Sequence, residues 1–284
     1  MAMMPRLKIA AKLPLALIGS ALVVGLGIGA AAYVISLRTV DAQRVQSFEA
    51  TLGSAVDKVD SYLDGVRIDL VQHADWPDTF TQIDNMMQIW NQQKSSNQDP
   101  RKSLKFSYVT NKKVAPQWQR IAVDSVGAMG GQYDAQHKRF HPAWRSVIAQ
   151  RGYEDVLLFS ADKVLIYTAQ KNEDLGTDFK DSADPLTQTA LAKLLDKALT
   201  LKRDEVAFTD FTVYAPSASR AEAFMAAPVF TGDTVGGVLM YEISAATLST
   251  QLQSIRGLGE TGEVIIVGAD GLMRTQSRFS QDND

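Results

Sequence analysis

Six side chains in the middle of the sequence have the chemistry to hold a small polar molecule. An arginine pairs with a carboxylate through two parallel hydrogen bonds, and an ionised aspartate accepts hydrogen bonds from an ammonium group. Aromatic side chains supply the apolar walls of a pocket. Core packing and structural ion pairs are the ordinary alternative roles, and the sequence leaves both open. The candidate ligand-binding residues are Trp144, Arg145, Tyr167, Asp210, Tyr214 and Phe224.

These residues do not form a known motif. Their positions in the predicted elements suggest that they converge. Trp144 and Arg145 lie on a helix that leads into the first predicted strand, and Tyr167 lies near the end of the second. Asp210 and Tyr214 are four residues apart in a predicted strand. Side chains alternate between the two faces of a strand, so we expect these two on one face.

The histidines offer little support for a metal site. His137 and His141 are four residues apart, a spacing that places two ligands on one helix face. Pro142 follows directly, and the residue before a proline is biased away from the helix. We therefore expect neither a shared face nor a metal site. The chain has no cysteine, which excludes disulfides, thiolate metal ligands and a thiol nucleophile, and we expect no cofactor.

Enzymatic motifs are missing from the sequence. It has no G-x-x-x-x-G-K-[ST], G-x-S-x-G or H-E-x-x-H pattern. The glycine-rich segment Gly257–Gly262 lacks the preceding strand and following helix that a phosphate loop needs, so it predicts a turn. All 32 acidic residues lie after residue 37, which makes the body of the protein net negative and argues against nucleic acid as a partner. We predict that the chain is not an enzyme.

A membrane helix precedes these candidate residues. Leu13–Leu37 is 25 residues without a charge, long enough to span a bilayer and longer than the apolar region of a cleaved signal peptide, the alternative. Three basic residues in 1–12 predict a cytoplasmic N-terminus, with everything after residue 37 outside the cytoplasm. In a bacterium, this means an inner-membrane protein with a periplasmic body. The basic residues are Arg6, Lys8 and Lys12.

Residues 38–75 predict a long helix that emerges from the membrane. Apolar residues recur at alternating spacings of three and four, the pattern of a heptad stripe. Small residues at Ala21, Gly25 and Gly29 would let two membrane helices approach closely. We expect a homodimer through both segments; the alternative is that the stripes face the chain's own domain. The first stripe is Val45, Phe48, Leu52, Ala55, Val59, Tyr62 and Val66, and the second is Val56, Leu63 and Leu70.

The body of the protein predicts an α+β fold with the element order β-β-α-β-β-β after several helices. A helix begins at Pro142 and ends at Gly152, another runs from Asp184 to about Leu201, and Ser244 caps one that extends to about Ile255. We expect a five-stranded antiparallel sheet with helices on one face and room for a small ligand on the other. The predicted strands are Tyr153–Ser160, Val164–Ala169, Glu205–Tyr214, Glu222–Phe230 and Val235–Ile243.

The first hairpin recurs 108 residues later. Residues 155–166 align with residues 263–274, each an apolar strand, an Ala-Asp turn and a second apolar strand. Two strands without further partners are marginally stable. We therefore expect that a second module begins here and that the sequence is the N-terminal part of a longer chain. A chance likeness between two hairpins is the alternative.

The order of anchor, long helix and tandem PAS-like modules resembles the double Cache sensor region of bacterial methyl-accepting chemotaxis proteins. The resemblance is most specific in Tyr153–Phe179 and Arg256–Phe279. It implies a membrane-distal ligand-binding module at 76–255 and the start of a membrane-proximal module at 256–284. It also implies a ligand between the sheet and the helix and loops over it. Amino-acid-binding members carry Arg-Trp-Tyr before the first strand; Trp144-Arg145-Ser146 reverses that order and lacks the tyrosine, so no ligand carries over.

These expectations define one function and two alternatives. We predict an extracytoplasmic small-molecule sensor of a transmembrane chemotaxis transducer, which passes a ligand-induced helix movement across the membrane. The same sensor would also suit a histidine kinase or a nucleotide cyclase. A membrane-tethered structural protein is the alternative from a different class.

Overall fold

The computed structural model describes residues 9–111, 115–255 and 258–279, with side chains from residue 13 onward. The chain forms two compact units, which divide between Ser54 and Ala55. Most of the predicted cytoplasmic segment 1–12, including Arg6 and Lys8, lies outside the described residues. Residues 256–257 and 280–284 of the predicted second module also lie outside them.

Helix α1, Ile9–Ala74, supplies the described part of the first unit. From Leu13 it contains an 18-residue window of mean hydropathy 2.2, so by length and composition it is a candidate membrane span. Its apolar side chains in that window are exposed, which suits contact with lipid. Farther along, Phe48 and Leu52 of the predicted heptad stripe are 74% and 60% exposed.

The residues of α1 in the second unit pack on the chain's own domain. Ala55 forms a small cluster with Leu252 and Ile255. Val66 and Leu70 are buried in the main core. The later part of the heptad stripe is therefore satisfied within the chain, as the alternative interpretation expected.

A six-stranded antiparallel sheet forms the centre of the second unit, in the order β2-β1-β6-β5-β3, with β4 also paired to β5. The predicted third strand is split into β3 and β4, because the Thr209 side chain takes the place of a backbone carbonyl and accepts from the Phe224 amide at 2.8 Å. The sheet is thus five strands wide, as predicted. The strands are β1 Asp155–Ser160, β2 Leu165–Thr168, β3 Ala207–Phe208, β4 Thr212–Tyr214, β5 Arg220–Thr231 and β6 Thr234–Ser244.

Five further helices complete the described fold, with short 3-10 and π-helical turns between them. The start predicted at Pro142 is wrong: α4 begins at Gly131 and continues through Pro142 to the left-handed Gly152. The predicted helix from Asp184 is a 3-10 turn followed by a separate helix capped by Thr189. The helices are α2 Pro77–Ser95, α3 Pro100–Lys105, α4 Gly131–Arg151, α5 Ala190–Ala198 and α6 Ala245–Gln253.

Helices cover both faces of the sheet, so the prediction of helices on one face is wrong. Helices α2 and α4 pack on the face that carries Val156, Leu158 and Tyr241, which we call the α4 face. Helix α5 packs through Leu191, Leu194 and Leu195 on the opposite face, which carries Leu157, Phe159 and Met240 and which we call the α5 face. The strands read as continuous apolar runs because both of their faces are buried.

The two hairpin turns 108 residues apart share their backbone hydrogen bonds. The Ser160 amide donates to the Val164 carbonyl at 3.0 Å, and the Gly268 amide donates to the Leu272 carbonyl at 2.8 Å. Lys163 and Gly271, at the matching position, both have a positive φ, 63° and 78°. This likeness extends the sequence repeat to the backbone of the turn. A second module beginning here stays a prediction.

Candidate functional site

Three buried basic side chains lie together on the α4 face. We call His137, His141 and Lys171 the basic cluster. Lys171 is only 1% exposed. Its ammonium lies 3.0 Å from His141 Nε2 and donates to the Arg120 and Ala169 carbonyls at 2.9 and 3.0 Å. The buried ammonium is therefore held by short polar contacts, as a buried charge requires.

All three members of the basic cluster bond to one short stretch of backbone. We call residues 117–124 the covering segment; it begins with a 3-10 turn. The carbonyl of Arg120 accepts from Lys171, that of Ile121 lies 2.7 Å from His141 Nε2, and that of Asp124 lies 2.9 Å from His137 Nδ1. The segment is therefore fixed to the interior by side chains from helix α4 and from the loop after β2.

The local sequence explains how these side chains meet. His137 and His141 do share one face of α4, against the expectation drawn from Pro142, and their rings stack with centroids 4.4 Å apart. In β2 a bulge puts Ile166 and Tyr167 together on the α4 face. The Tyr167 hydroxyl consequently lies 2.7 Å from His141 Nδ1.

Two more tyrosines complete the aromatic wall around the histidines. The Tyr108 hydroxyl donates to Asp134 at 2.6 Å, and its ring centroid lies 4.8 Å from that of His137. The Tyr133 hydroxyl donates to the Ile166 carbonyl at 2.7 Å. Burial raises the pKa of both hydroxyls. These side chains are neutral hydrogen-bond donors at physiological pH.

Burial also controls the charges of the basic cluster. It lowers the pKa of Lys171 to about 7 and that of His141 to about 3, and it lowers the pKa of His137; the nearby Lys171 ammonium lowers both histidine values further. Both histidines are therefore neutral at pH 7. A neutral His141 that donates from Nε2 to the Ile121 carbonyl accepts from the Tyr167 hydroxyl at Nδ1, so its 3.0 Å contact with Lys171 is then not a hydrogen bond. His137 Nε2 is buried without a hydrogen-bond partner.

A contrasting group lies on the α5 face. Asp155, Asp174, Glu222 and Glu242, which we call the acidic cluster, are each at most 1% exposed. Asp155 accepts from the Thr168 hydroxyl and from two backbone amides. Several carboxylate oxygens of the other members accept no hydrogen bond. Among the described residues, no group of three or more histidine or carboxylate side chains has a metal-binding arrangement.

The structure distributes the six predicted binding residues over three places. Three lie on or beside the α4 face. Trp144 is buried and donates to Gln82 Oε1 at 2.7 Å. Arg145 pairs with Asp124 at 3.2 Å, at the end of the covering segment, and Tyr167 contacts His141.

The other three residues are elsewhere. Tyr214 and Phe224 pack against each other on the α5 face, with ring centroids 5.0 Å apart. Asp210 lies between β3 and β4 and binds the Arg274 guanidinium through two hydrogen bonds of 2.8 and 2.7 Å. The expectation that Asp210 and Tyr214 point to one face of a single strand is wrong, because the strand is interrupted and Asp210 lies between β3 and β4.

The sequence reasoning missed the basic cluster. Tyr133, His137 and His141 recur every four residues, and this stripe was a usable signal for one polar aromatic helix face. Pro142 argued against a shared helix face for the two histidines, but α4 continues through this proline. Lys171 and the covering segment carry no local signal, because loop folding alone brings them to α4.

Two of the cavities on the α4 side of the sheet contact residues of the main core or the predicted site. One, of about 10 Å³, lies beside Tyr133 and Ile166 and has room for about one water molecule. The other is a groove of about 140 Å³ between α2 and α4. Trp144 lines this groove together with Trp76 and Phe140, so one predicted residue borders an open site. The basic cluster itself is closed by the covering segment.

Comparison with curated proteins finds similarity to a probable chemoreceptor. No family model matches the chain. A probable chemoreceptor of Sinorhizobium fredii is 28% identical over 145 residues, which are 50% of this chain and 18% of the relative. The match therefore spans less than a fifth of the relative's length.

Solved sensor domains show a weaker likeness. The ligand-binding domain of the Pseudomonas fluorescens chemoreceptor CtaA, in complex with L-serine, is 13% identical, with a TM-score of 0.34 and 70% and 68% of the two chains covered. The V. cholerae histidine kinase DctB sensor domain is 11% identical, with a TM-score of 0.34 and 62% and 59% covered. Scores this low transfer no ligand or site. The resemblance inferred from the sequence thus agrees with the curated relative: along 50% of its length, this chain is similar to a probable chemoreceptor.

Proposed function

We propose that this chain is the membrane-anchored, periplasmic sensor region of a chemotaxis transducer, and that its small-molecule ligand binds on the α4 face under the covering segment. The observation that carries the site is that three buried basic side chains all bond to the backbone of residues 117–124. A ligand with hydrogen-bond acceptors, such as a carboxylate, would take over these bonds. Binding and release of the covering segment would then be one event.

Helix α4 connects this site to α1 within the second unit. His137 and His141 lie in its first half, and Arg151 ends it. Arg151 pairs with Asp69 of α1 at 2.9 Å, and the Tyr153 hydroxyl donates to the same carboxylate at 2.6 Å. A ligand that favours one position of α4 would shift the population of α1 positions, by no more than its difference in affinity for the two. In our proposal α1 passes this shift towards the membrane.

A ligand screen on the full chain in lipid nanodiscs tests this proposal. Amino acids, organic acids, amines and purines are compared for their effect on the unfolding temperature. We expect at least one class to raise it, and Lys171→Met to abolish the effect. The matched control is Lys138→Met, since Lys138 is exposed on α4, the helix that carries the two histidines of the basic cluster. No shift with any class would favour the tethered structural protein.

We also propose that the receptor is a homodimer through its membrane helix and the exposed part of α1. The chain has no cysteine, so one introduced cysteine reports on one position. Phe48→Cys should form a disulfide-linked dimer in native membranes, because Phe48 is exposed on the heptad stripe. Glu49→Cys, one position off the stripe, is the control. Equal cross-linking at both positions would contradict pairing through the stripe.

A further inference from the structure

The acidic cluster places carboxyl groups side by side on three neighbouring strands. Asp155 of β1 lies directly opposite Glu242 of β6, and Phe224 of β5 lies opposite Glu242 on its other side. Glu222 is two residues from Phe224 on the same strand face, so it is a diagonal neighbour of Glu242. Like charges directly opposite each other on a sheet repel. The three groups cannot all be ionised without a large cost in the buried interior.

The hydrogen bonds around the cluster leave acceptors unused. Both oxygens of Glu222 and one of Asp174 accept no hydrogen bond, although both residues are buried. The second oxygen of Asp174 accepts from the Tyr214 hydroxyl at 2.7 Å. A protonated carboxyl becomes a donor and can supply a bond that two carboxylates cannot make. The geometry therefore fits carboxyl groups that carry protons.

The cations near the cluster are too few to neutralise it. Arg220 lies 3.4 Å from Glu222 but also pairs closely with Glu154. The Lys171 ammonium faces Asp155 but makes its short contacts with carbonyls and His141. Among the described residues, the titratable or charged groups that face the cluster are Glu154, Glu173, Tyr167, Tyr214, Lys105, Lys171 and Arg220.

Burial, together with the neighbouring carboxylates, moves the titration of these groups towards neutral pH. It raises the pKa of Asp174 to about 6, that of Asp155 to about 7 and that of Glu222 to about 8. The pKa of Glu242 is also raised, since this side chain is buried between Asp155 and Glu222.

One loop closes this part of the α5 face. The Ser217 hydroxyl donates to Glu242, and Ser217 is buried in the 3-10 turn Ala215–Ser217. Ala218 and Ser219 follow with φ values of 56° and 57°, a left-handed conformation that disfavours both residues. The loop is thus held in an unfavourable conformation over the buried carboxyl groups. The bond from Ser217 favours an ionised Glu242, so it opposes release, whereas repulsion between the carboxylates and their need for water favour it.

We propose that the acidic cluster is a proton-binding site and that loss of its proton releases the loop of residues 215–219 from the α5 face, because adjacent ionised carboxyl groups repel one another and need the water that this loop excludes. External pH would then be a second input to the module, separate from the ligand on the α4 face. Only the exposure of this site to the periplasm rests on the proposed function; proton binding and loop release do not.

Hydrogen exchange on the full chain in nanodiscs tests the proposal. Protection factors of peptides that cover residues 212–220 are compared at about pH 5 and about pH 9, on either side of the raised pKa values. A protection factor is the intrinsic exchange rate divided by the observed rate, so the pH dependence of intrinsic amide exchange cancels. We expect protection in the wild type to fall about tenfold or more at high pH. Glu242→Gln keeps an acceptor for Ser217 and should remain protected at both pH values.

Two further variants provide a control and a replacement for Glu242→Gln. Glu173→Gln removes an exposed carboxylate near the cluster and should behave like the wild type. Asp155→Asn replaces Glu242→Gln if that variant does not fold, and it should also lose the pH response. A wild type without a pH response, or one that both cluster variants retain, would overturn the proposal. A failed ligand screen would overturn only the proposed sensor function.

Discussion

The two faces of one sheet bury charge in opposite ways. On the α4 face, basic side chains donate to the backbone carbonyls of the covering segment, so Lys171 is held by hydrogen bonds. On the α5 face, carboxyl groups lie beside one another, and Glu222 has no hydrogen-bond donor at all. A buried cation can be satisfied by backbone carbonyls of a loop that packs over it. Adjacent buried carboxylates repel one another unless some of them are protonated. The first arrangement suits a response to a molecule, and the second suits a response to pH.

The contrast between the two faces depends on α5 closing the α5 face of the sheet. Leu195 is fully buried against that face, so Leu195→Ala should lower the free energy of unfolding by about 3 kcal/mol, the usual cost of a large cavity. Lys193→Ala, exposed on the same helix, is the control and should change it little. Urea unfolding of the full chain in detergent measures both. A small effect of Leu195→Ala would mean an open face, as the sequence had suggested.

The sequence was sufficient to predict the order of strands and helices along the chain and the hairpin turns, because apolar runs and turn residues are local signals. The split between β3 and β4 was not predictable, because it depends on the side chain of Thr209 replacing a carbonyl opposite Phe224. The candidate residues came from position alone, so they were scattered over both faces. Lys171 was missed because only the folded loop brings it against α4.

Opposite pH dependences are the next largest expected difference between the faces. The folded acidic cluster has raised pKa values, so the folded state binds more protons than the unfolded state between about pH 4 and about pH 8. Stability should fall as pH rises through this range, and Glu242→Gln should reduce the fall. The lowered pKa of Lys171 acts in the other direction. The folded state then binds fewer protons between about pH 7 and about pH 10, so stability should rise there.

Lys171→Met isolates the contribution of the α4 face. It should remove the alkaline rise in stability and keep the fall at lower pH, with only a small change from Asp155, which the ammonium faces. At neutral pH we expect a loss of about 2 kcal/mol, because the Arg120 and Ala169 carbonyls lose a donor. Unfolding temperatures across the pH range measure both effects. If the variant flattened the acidic limb instead, the two faces would be coupled and the comparison would fail.

Tyr167→Phe is a smaller change on the α4 face. It removes the hydroxyl that bonds to His141 and should cost about 1 kcal/mol of stability. Tyr108→Phe, which removes a hydroxyl bonded to Asp134, should cost a similar amount. A ligand found in the screen separates the two variants, since of the two hydroxyls only that of Tyr167 bonds to a member of the basic cluster. Equal effects on ligand affinity would place the binding site elsewhere.

Asp210 should matter least for stability, because it belongs to neither face. Its carboxylate is held by Arg274, and the bond to that guanidinium lowers its pKa, but the Asp210 side chain is 57% exposed. Exposed ion pairs contribute little to stability, so Asp210→Asn should leave the pH profile and the unfolding temperature almost unchanged. Its effect should instead be local, because Arg274 lies beyond the turn at Gly268 that repeats the first hairpin. Faster hydrogen exchange confined to residues 264–275 would identify Asp210 as a contact between the sheet and that second turn. A loss of ligand binding in the same variant would show instead that the third strand contributes to the binding site.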